Sequence, residues 1–166
     1  HDTERFVTLC GGDLQRLRLA YTFLFTYQGA PVIYYGDEVG LEGGGDPDNR
    51  RCLPWDELDA RGETLAHFKR LGQLRRELPE LRRGRFDAWP VARDSRVLCY
   101  QRTLGSASTL VVLNLGDTPQ EVDLPTGRTG WRRGQVVHEL LGQRKLRVTG
   151  TRVTLPLRPW EAMVLR

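Results

Sequence analysis

The pattern of apolar residues changes near residue 80, and this change limits the folds open to the chain more than any other feature. Before it, two helical patterns flank one continuous apolar run, and after it come short strand patterns separated by turn residues. Alternating helix and strand is typical of a parallel sheet covered by helices, whereas closely spaced short strands favour an antiparallel sandwich. The sequence therefore predicts two units, residues 1–80 and residues 84–166.

The first unit is predicted to contain a helix, a strand and a second helix. Asp13 is a suitable N-cap for a helix that runs to Gln28. The segment from Pro31 to Gly36 is apolar without alternation, as in an inner strand of a parallel sheet. Apolar residues at spacings of three and four predict the second helix, which Pro79 ends; they are Leu65, Phe68, Leu71, Leu74 and Leu78.

The second unit contains eight short apolar segments that are typical of strands. Gly, Pro, Asp and Thr separate them, so we expect an antiparallel β-sandwich. The segments are Phe86 to Trp89, Val97 to Arg102, Thr109 to Leu115, Glu121 to Leu124, Val136 to Leu141, Leu146 to Val148, Val153 to Leu157 and Ala162 to Leu165.

A loop rich in Gly and Asp follows the apolar run and extends from Asp37 to about Arg61. It is longer than the usual connection in a compact domain. If the preceding run is a barrel strand, the loop lies where barrel enzymes build their active sites. Its carboxylates and guanidinium groups suit adjacent sugar hydroxyls, whereas it lacks the ligand order of an EF-hand. From the residues alone, a substrate loop and a solvated turn both remain open.

Charge, hydropathy and cysteine spacing exclude several classes of function. The denser groups among the 25 basic residues alternate with acidic segments, whereas nucleic-acid binding needs basic residues concentrated on one face. We therefore expect no nucleic-acid partner. No apolar stretch reaches about 18 residues, so we expect no membrane partner either. Cys10, Cys52 and Cys99 lack metal-ligand spacing and are best explained as free thiols of a cytoplasmic protein.

Three motifs, in order along the chain, resemble the α-amylase family of glycoside hydrolases. They are His1 to Phe6, Gly29 to Gly40, and Asp46 to Arg51 followed by Pro54-Trp55. Within that family they are most similar to the neopullulanase, cyclomaltodextrinase and maltogenic amylase group. The closing segment from Pro156 to Leu165 is similar to the final strands of the family's C-terminal domain. The resemblance implies an α/β part, the last helix-strand-helix portion of a (β/α)8 TIM barrel, followed by an all-β antiparallel sandwich.

The resemblance also implies roles for four residues. His1-Asp2 matches the family's strand-seven motif, although the Asn that normally precedes the His has no counterpart here. Asp2 then binds the 2- and 3-hydroxyls and stabilises the oxocarbenium-like transition state, while His1 donates to the same sugar. Asp46 and Arg50 match an Asp-Pro-x-x-Arg element that binds the neighbouring glucose on the non-reducing side. The alternatives for this pair are an Asp-Pro turn and a solvated base.

A retaining glycosidase needs a nucleophile and a general acid/base on opposite sides of the scissile bond. The family carries both on earlier strands, and we expect Asp37 and Glu38 to be structural. The resemblance thus implies part of a retaining α-glucan hydrolase for α-1,4 and, as a further option, α-1,6 bonds of maltodextrin-like substrates. We expect the 166 residues alone to be inactive. A non-catalytic carbohydrate-binding or accessory module is the alternative.

The expected partners follow from the incomplete barrel. An unpartnered strand and the apolar helix from Leu14 to Tyr27 are expected to expose apolar surface. The remainder of the barrel, or a second copy that exchanges elements, would cover it, and an α-glucan oligosaccharide would be the ligand. We expect no cofactor in this chain, and any structural calcium in a preceding segment. His67 is predicted to be a surface or boundary histidine outside the site.

Overall fold

The computed structural model describes residues 1–58, 61–91 and 95–166, so residues 59–60 of the predicted long loop lie outside the described residues. Within these ranges the first half is helical and the second half consists mainly of strands. The elements are α1 (Phe6–Leu9), α2 (Leu14–Thr26), α3 (Gly62–Glu77), α4 (Pro79–Arg83), β1 (Arg85–Trp89), β2 (Val97–Leu104), β3 (Ala107–Asn114), β4 (Gln120–Pro125), α5 (Thr126–Thr129), β5 (Val136–His138), β6 (Lys145–Arg147), β7 (Arg152–Leu157) and β8 (Ala162–Leu165).

The two long helices form where the sequence predicts them. The Asp13 side chain accepts hydrogen bonds from the backbone nitrogens of Gln15 and Arg16 at 2.8 and 3.2 Å, which confirms it as the N-cap of α2. This helix ends at Thr26, two residues before the predicted end. The α3 helix buries Phe68, Leu71 and Leu74 of the predicted stripe. Pro79 then begins the short helix α4 rather than a loop.

The strands form a sandwich, and each of the eight predicted segments overlaps one of them. An antiparallel sheet with the order β1-β2-β3-β8 faces two smaller pairs, β4-β7 and β5-β6. Side chains alternate between the faces of a sheet. Leu110 and Val112 therefore pack in the sandwich core with Leu155 of β7, whereas Val111 and Leu113 point to the opposite face. The predicted antiparallel sandwich is confirmed.

Helix α2 covers that opposite face. Its Leu19 packs with Tyr100 of the four-stranded sheet, and its Tyr21 packs with Phe68 of α3. The expectation that the apolar helix from Leu14 to Tyr27 exposes its apolar surface is therefore wrong for most of its apolar residues, although Tyr27 is 37% exposed. The four-stranded sheet of the second unit covers the side of the helix that carries Leu19, whereas we expected the rest of a barrel or a second copy to cover it. No helix among the described residues is long and apolar enough to cross a membrane.

The apolar run from Pro31 to Gly36 differs from its prediction. In the structure residues 31–34 belong to no strand, and the side chains of Val32 and Ile33 are 78% and 41% exposed. A strand needs neighbours to pair its backbone groups, and none of the described residues pairs with this segment. The predicted buried inner strand is thus wrong for this chain, whereas the predicted apolar exposure is confirmed at these two residues.

Candidate functional site

The four predicted site residues lie together on one surface. The Oδ1 atom of Asp2 is 2.9 Å from Nε2 of His1 and 3.7 Å from Nη2 of Arg50. The Nε atom of Arg50 is 2.8 Å from Oδ1 of Asp46. All four side chains are at least 48% exposed, so a ligand can reach them. The structure thus brings the two predicted pairs into one group, with the guanidinium of Arg50 between two carboxylates.

This arrangement suits the hydroxyl groups of a sugar. Carboxylates accept hydrogen bonds from adjacent hydroxyls, and a guanidinium donates several in a fixed fork. The ion pair between Asp46 and Arg50 is exposed, so it adds little to the stability of the fold. Its rearrangement around a ligand therefore costs little free energy.

A one-turn 3-10 helix, Asp48–Arg50, brings Arg50 back toward Asp46. The Asp48 carboxylate accepts hydrogen bonds from Nε of Arg51 and from the backbone nitrogen of Gly44, both at 2.7 Å. These two bonds, that with Arg51 first, hold the pKa of Asp48 below its usual range. The peptide bond between Asp46 and Pro47 is cis. The four-residue spacing predicted that the pair could meet, but only the structure shows the turn.

Two buried residues without a predicted role connect the two halves of the site. The Nδ2 atom of Asn49 donates to the backbone oxygens of His1 and Thr3 at 2.7 and 2.8 Å. The Nε atom of Arg5 donates to the backbone oxygen of Asn49 at 2.8 Å. The backbone nitrogen of Arg5 donates to the backbone oxygen of Gly43 at 2.9 Å. Arg5 lies within the motif from His1 to Phe6, and Asn49 lies within the motif from Asp46 to Arg51. These positions were the only indication in the sequence that the two residues belong to the site.

The surroundings of Gly43 leave no room for the side chain of a larger residue. A Cβ atom there would lie 2.7 Å from both the Cα atom of Asn49 and the backbone oxygen of Asp48. The backbone nitrogen of Gly43 donates to Oγ1 of Thr8 at 2.8 Å. Glycine therefore lets this part of the loop lie against the Asp48–Arg50 turn of the same loop.

Asp37 and Glu38 serve the structure, as predicted. The Oδ1 atom of buried Asp37 is 3.2 Å from Nη1 of Arg5, and its Oδ2 atom accepts a hydrogen bond from the hydroxyl of Tyr21. Burial, followed by that hydrogen bond, raises the pKa of the Tyr21 phenol. The Oε2 atom of Glu38 accepts from the backbone nitrogen of Gly36 at 2.8 Å.

A separate cleft of about 490 Å³ lies between α2, α3 and the connection from β5 to β6, and it contains none of the four site residues. Most of its charged side chains form ion pairs with one another. Arg144 contacts Glu161 at 2.7 Å, and Arg18 contacts Glu63 at 3.5 Å. Among the described ranges, no group of three or more ligating side chains is placed to hold a metal ion.

Comparison with known proteins finds matches along both halves of the chain. Residues 1–71 match the family model of the α-amylase catalytic domain, and residues 87–164 match that of the maltogenic amylase C-terminal domain. The chain is 37% identical to neopullulanase 2 of Thermoactinomyces vulgaris, over 99% of the chain and 28% of that protein. It is 33% identical to an intracellular maltogenic amylase of Bacillus subtilis, over 75% of the chain and 21% of that protein.

A solved structure of a cyclomaltodextrinase matches the whole chain with a TM-score of 0.87 at 32% identity, and the match covers 28% of that protein. The chain thus spans about a quarter of the length of these relatives. Two consecutive parts of one type of enzyme match in the same order here, and the fold agrees throughout. The chain therefore belongs to the α-amylase family of glycoside hydrolases and corresponds to the C-terminal part of such an enzyme.

Proposed function

We propose that the chain forms the sugar-binding half of the active site in a retaining α-glucan hydrolase. The substrates are maltodextrin-like, with α-1,4 bonds and, as a further option, α-1,6 bonds. The observation that carries the proposal is the convergence of Asp2 and Arg50, 3.7 Å apart, on an exposed surface. The names of the similar enzymes, neopullulanase, cyclomaltodextrinase and maltogenic amylase, support an α-glucan as the substrate.

Each of the four residues has a distinct role in this proposal. Asp2 accepts hydrogen bonds from the 2- and 3-hydroxyls, and these bonds strengthen as the sugar ring flattens and gains positive charge. Because they strengthen in the transition state, Asp2 contributes mainly to kcat. His1 lies against Asp2 and donates to the same sugar. Asp46 and Arg50 bind the neighbouring glucose on the non-reducing side and contribute mainly to KM.

The groups that break the bond come from another segment in this proposal. A retaining enzyme places its nucleophile and general acid/base about 5–5.5 Å apart on either side of the bond. Asp37 and Glu38 are occupied by structural hydrogen bonds. We therefore assign both groups to a polypeptide segment that precedes His1, so that the 166 residues alone do not hydrolyse glucans. Residues 1–80 are the end of the barrel, and residues 84–166 form the C-terminal domain.

The remaining proposals concern the surroundings of the chain. The exposed apolar surface at Val32 and Ile33 supports coverage by the rest of the barrel, or by a second copy through exchange of elements. The free thiols of Cys10, Cys52 and Cys99 support a cytoplasmic location, as does the name of the intracellular relative. The chain itself is proposed to need no cofactor, and any structural calcium would bind to the preceding segment.

Substitution of two adjacent arginines tests the proposed sugar contacts. The experiment uses the longer polypeptide, in which the segment that is proposed to carry the nucleophile and the general acid/base precedes His1. Arg50 and Arg51 are similarly exposed, and each pairs with an aspartate of the same turn. Arg50→Ala is expected to raise KM for a maltooligosaccharide about tenfold, because a charge-assisted hydrogen bond is worth about 1.5–3 kcal/mol. Its kcat should stay within about twofold of the wild-type value.

Arg51→Ala is the matched control and should leave both constants near their wild-type values. Equal effects of the two substitutions would contradict the assignment of Arg50. A longer polypeptide that binds the oligosaccharide without cleaving it would favour the alternative, a non-catalytic carbohydrate-binding or accessory module.

A further inference from the structure

We propose that Asn49 is a positioning residue that holds Asp2 in place relative to Arg50. The inference rests on the proposed function, because it assumes that Asp2 and Arg50 act on one ligand. Asn49 is fully buried, although its neighbours Asp48 and Arg50 are exposed. Its side chain therefore points away from the solvent, toward the segment that contains Asp2.

Asn49 forms hydrogen bonds with the backbone of the residues before and after Asp2. Its Nδ2 atom donates to the backbone oxygen of His1 at 2.7 Å and to that of Thr3 at 2.8 Å, the residues that flank Asp2. Both partners are acceptors, so only the NH2 end of the amide can face them, which fixes its orientation. The asparagine thus restrains the backbone that carries the Asp2 side chain.

In the part of the chain that the structure describes, no second restraint of this kind holds the same segment. Within residues 1–58, 61–91 and 95–166, the two Asn49 bonds are the only hydrogen bonds to the backbone of residues 1–4. Among the described residues, the other polar contact between residues 1–4 and the loop is that between Asp2 and Arg50 at 3.7 Å. This contact is exposed and longer than a hydrogen bond, so it restrains Asp2 only weakly.

The loop that carries Arg50 has anchors that do not involve the Asn49 side chain. The Nε atom of Arg5 donates to the backbone oxygen of Asn49 at 2.8 Å, and the backbone nitrogen of Arg5 donates to the backbone oxygen of Gly43 at 2.9 Å. Gly43 in turn donates to Thr8. Loss of the Asn49 amide should therefore release residues 1–4 while the loop stays in place. The expected consequence is a displaced Asp2 beside a correctly placed Arg50.

The test is a comparison of kcat with KM in the longer polypeptide. Asn49→Ala is expected to lower kcat about 10- to 100-fold, because a small displacement of a group that acts in the transition state is costly. KM should stay within about threefold of the wild-type value, the reverse of the pattern expected for Arg50→Ala. Asn49→Ser, which retains one donor, should give an intermediate kcat and serves if the alanine variant does not fold.

Asn114 offers a matched control. It is also fully buried, and its Nδ2 atom also donates to two backbone oxygens, those of Thr118 at 2.8 Å and Arg158 at 2.9 Å. It lies on β3, in the other half of the chain. Asn114→Ala, which also removes the hydrogen bond from the backbone nitrogen of Gly116 to Oδ1, should destabilise the protein at least as much and leave kcat and KM unchanged. Equal losses of kcat in the two alanine variants, or a wild-type kcat for Asn49→Ala, would overturn the inference.

A second measurement does not depend on activity. In the 166-residue chain, Asn49→Ala should lower the backbone NMR order parameters of Thr3 and Glu4 to below about 0.6, the range of flexible backbone. Those of Asp48 and Arg50 should not change. Unaltered order at Thr3 and Glu4 would overturn the inference even if the longer polypeptide is active. Absence of hydrolysis by the wild-type longer polypeptide would instead contradict the proposed function.

Discussion

Several arginines of the chain donate hydrogen bonds to backbone oxygens of other segments, among them Arg5, Arg75 and Arg102. Arg5 and Arg102 are 2% and 1% exposed, and Arg75 donates to the backbone oxygens of Phe25 and Leu81 at 2.6 and 3.0 Å. The guanidinium of Arg5 also lies 4.0 Å from the centre of the Tyr34 ring, a cation–π contact. Net charge does not reveal such roles, because they depend on which carbonyl groups the fold brings within reach.

His67 lies at the boundary between α3 and α2, as predicted. Its Nε2 atom is 2.9 Å from Oγ1 of Thr22 and 3.2 Å from the backbone oxygen of Arg18. Burial is the main reason that the pKa of this imidazole lies below the model-peptide value of 6.5. The folded state therefore favours the neutral ring.

The depressed pKa of His67 predicts how stability depends on pH. Below pH 6.5 the unfolded chain binds a proton at this residue more readily than the folded chain does, so stability should fall as the pH falls through this value. His67→Gln, which offers a nitrogen to Thr22 without titrating, should lose less stability between pH 7.5 and pH 5.5 than the wild type. Urea denaturation at the two pH values measures this difference. An equal or larger loss in the variant would contradict the prediction.

The sequence was sufficient to predict His1, Asp2, Asp46 and Arg50 as site residues, because their residue types and order match a known motif, and the structure places them together. It was not sufficient for Asn49 and Arg5. Both act through buried hydrogen bonds to backbone oxygens, and backbone oxygens are present at every position of every sequence. Only the folded chain shows which of them an amide or a guanidinium reaches.

Among the secondary-structure elements, α2 connects the two halves of the molecule. It packs on the four-stranded sheet through Leu19 and on α3 through Tyr21. Arg102 of β2 lies at the C-terminal ends of α2 and α4, where its Nη1 atom donates to the backbone oxygens of Thr26 and Leu81 at 2.6 and 3.0 Å. A cation is favourable at a helix C-terminus, so one strand residue stabilises two helix ends.

Replacement of Arg102 should weaken this connection. Arg102→Leu removes this donor from the carbonyl groups of Thr26, Leu81 and Gly84, and that of Leu81 keeps a hydrogen bond from Arg75. The expected loss is about 3 kcal/mol in the free energy of unfolding, measured by urea denaturation. Arg85→Leu, at a largely exposed arginine of the same sheet, should change it by less than about 0.5 kcal/mol. Similar losses in both variants would contradict the proposed role of Arg102.

The strands of the sandwich could be predicted because alternation is a local property of the sequence. Val111 and Val112 face opposite sides of one sheet, and each side is buried by elements within the chain. The run from Pro31 to Gly36 has the composition of a strand, but a strand also needs neighbours with which to pair. That requirement is not local, so the sequence pattern alone gave the wrong result there.

At the scale of the whole molecule, the two halves of the chain differ in the surface that they leave exposed. The sandwich buries both faces of its main sheet, whereas Val32, Ile33 and the four site residues remain exposed. The chain also spans about a quarter of the length of its relatives. Both observations support the proposal that the bond-breaking carboxylates belong to a preceding segment, with Asp2 at the boundary between the two contributions.

The most direct test is the hydrolysis of a maltooligosaccharide by the longer polypeptide, by its Asp2→Asn variant and by the isolated 166-residue chain. We predict that the wild-type polypeptide cleaves the substrate, that Asp2→Asn lowers kcat/KM about a thousandfold, and that the isolated chain shows no hydrolysis. Activity of Asp2→Asn at the wild-type level, or cleavage by the isolated chain, would contradict the proposed division of the active site.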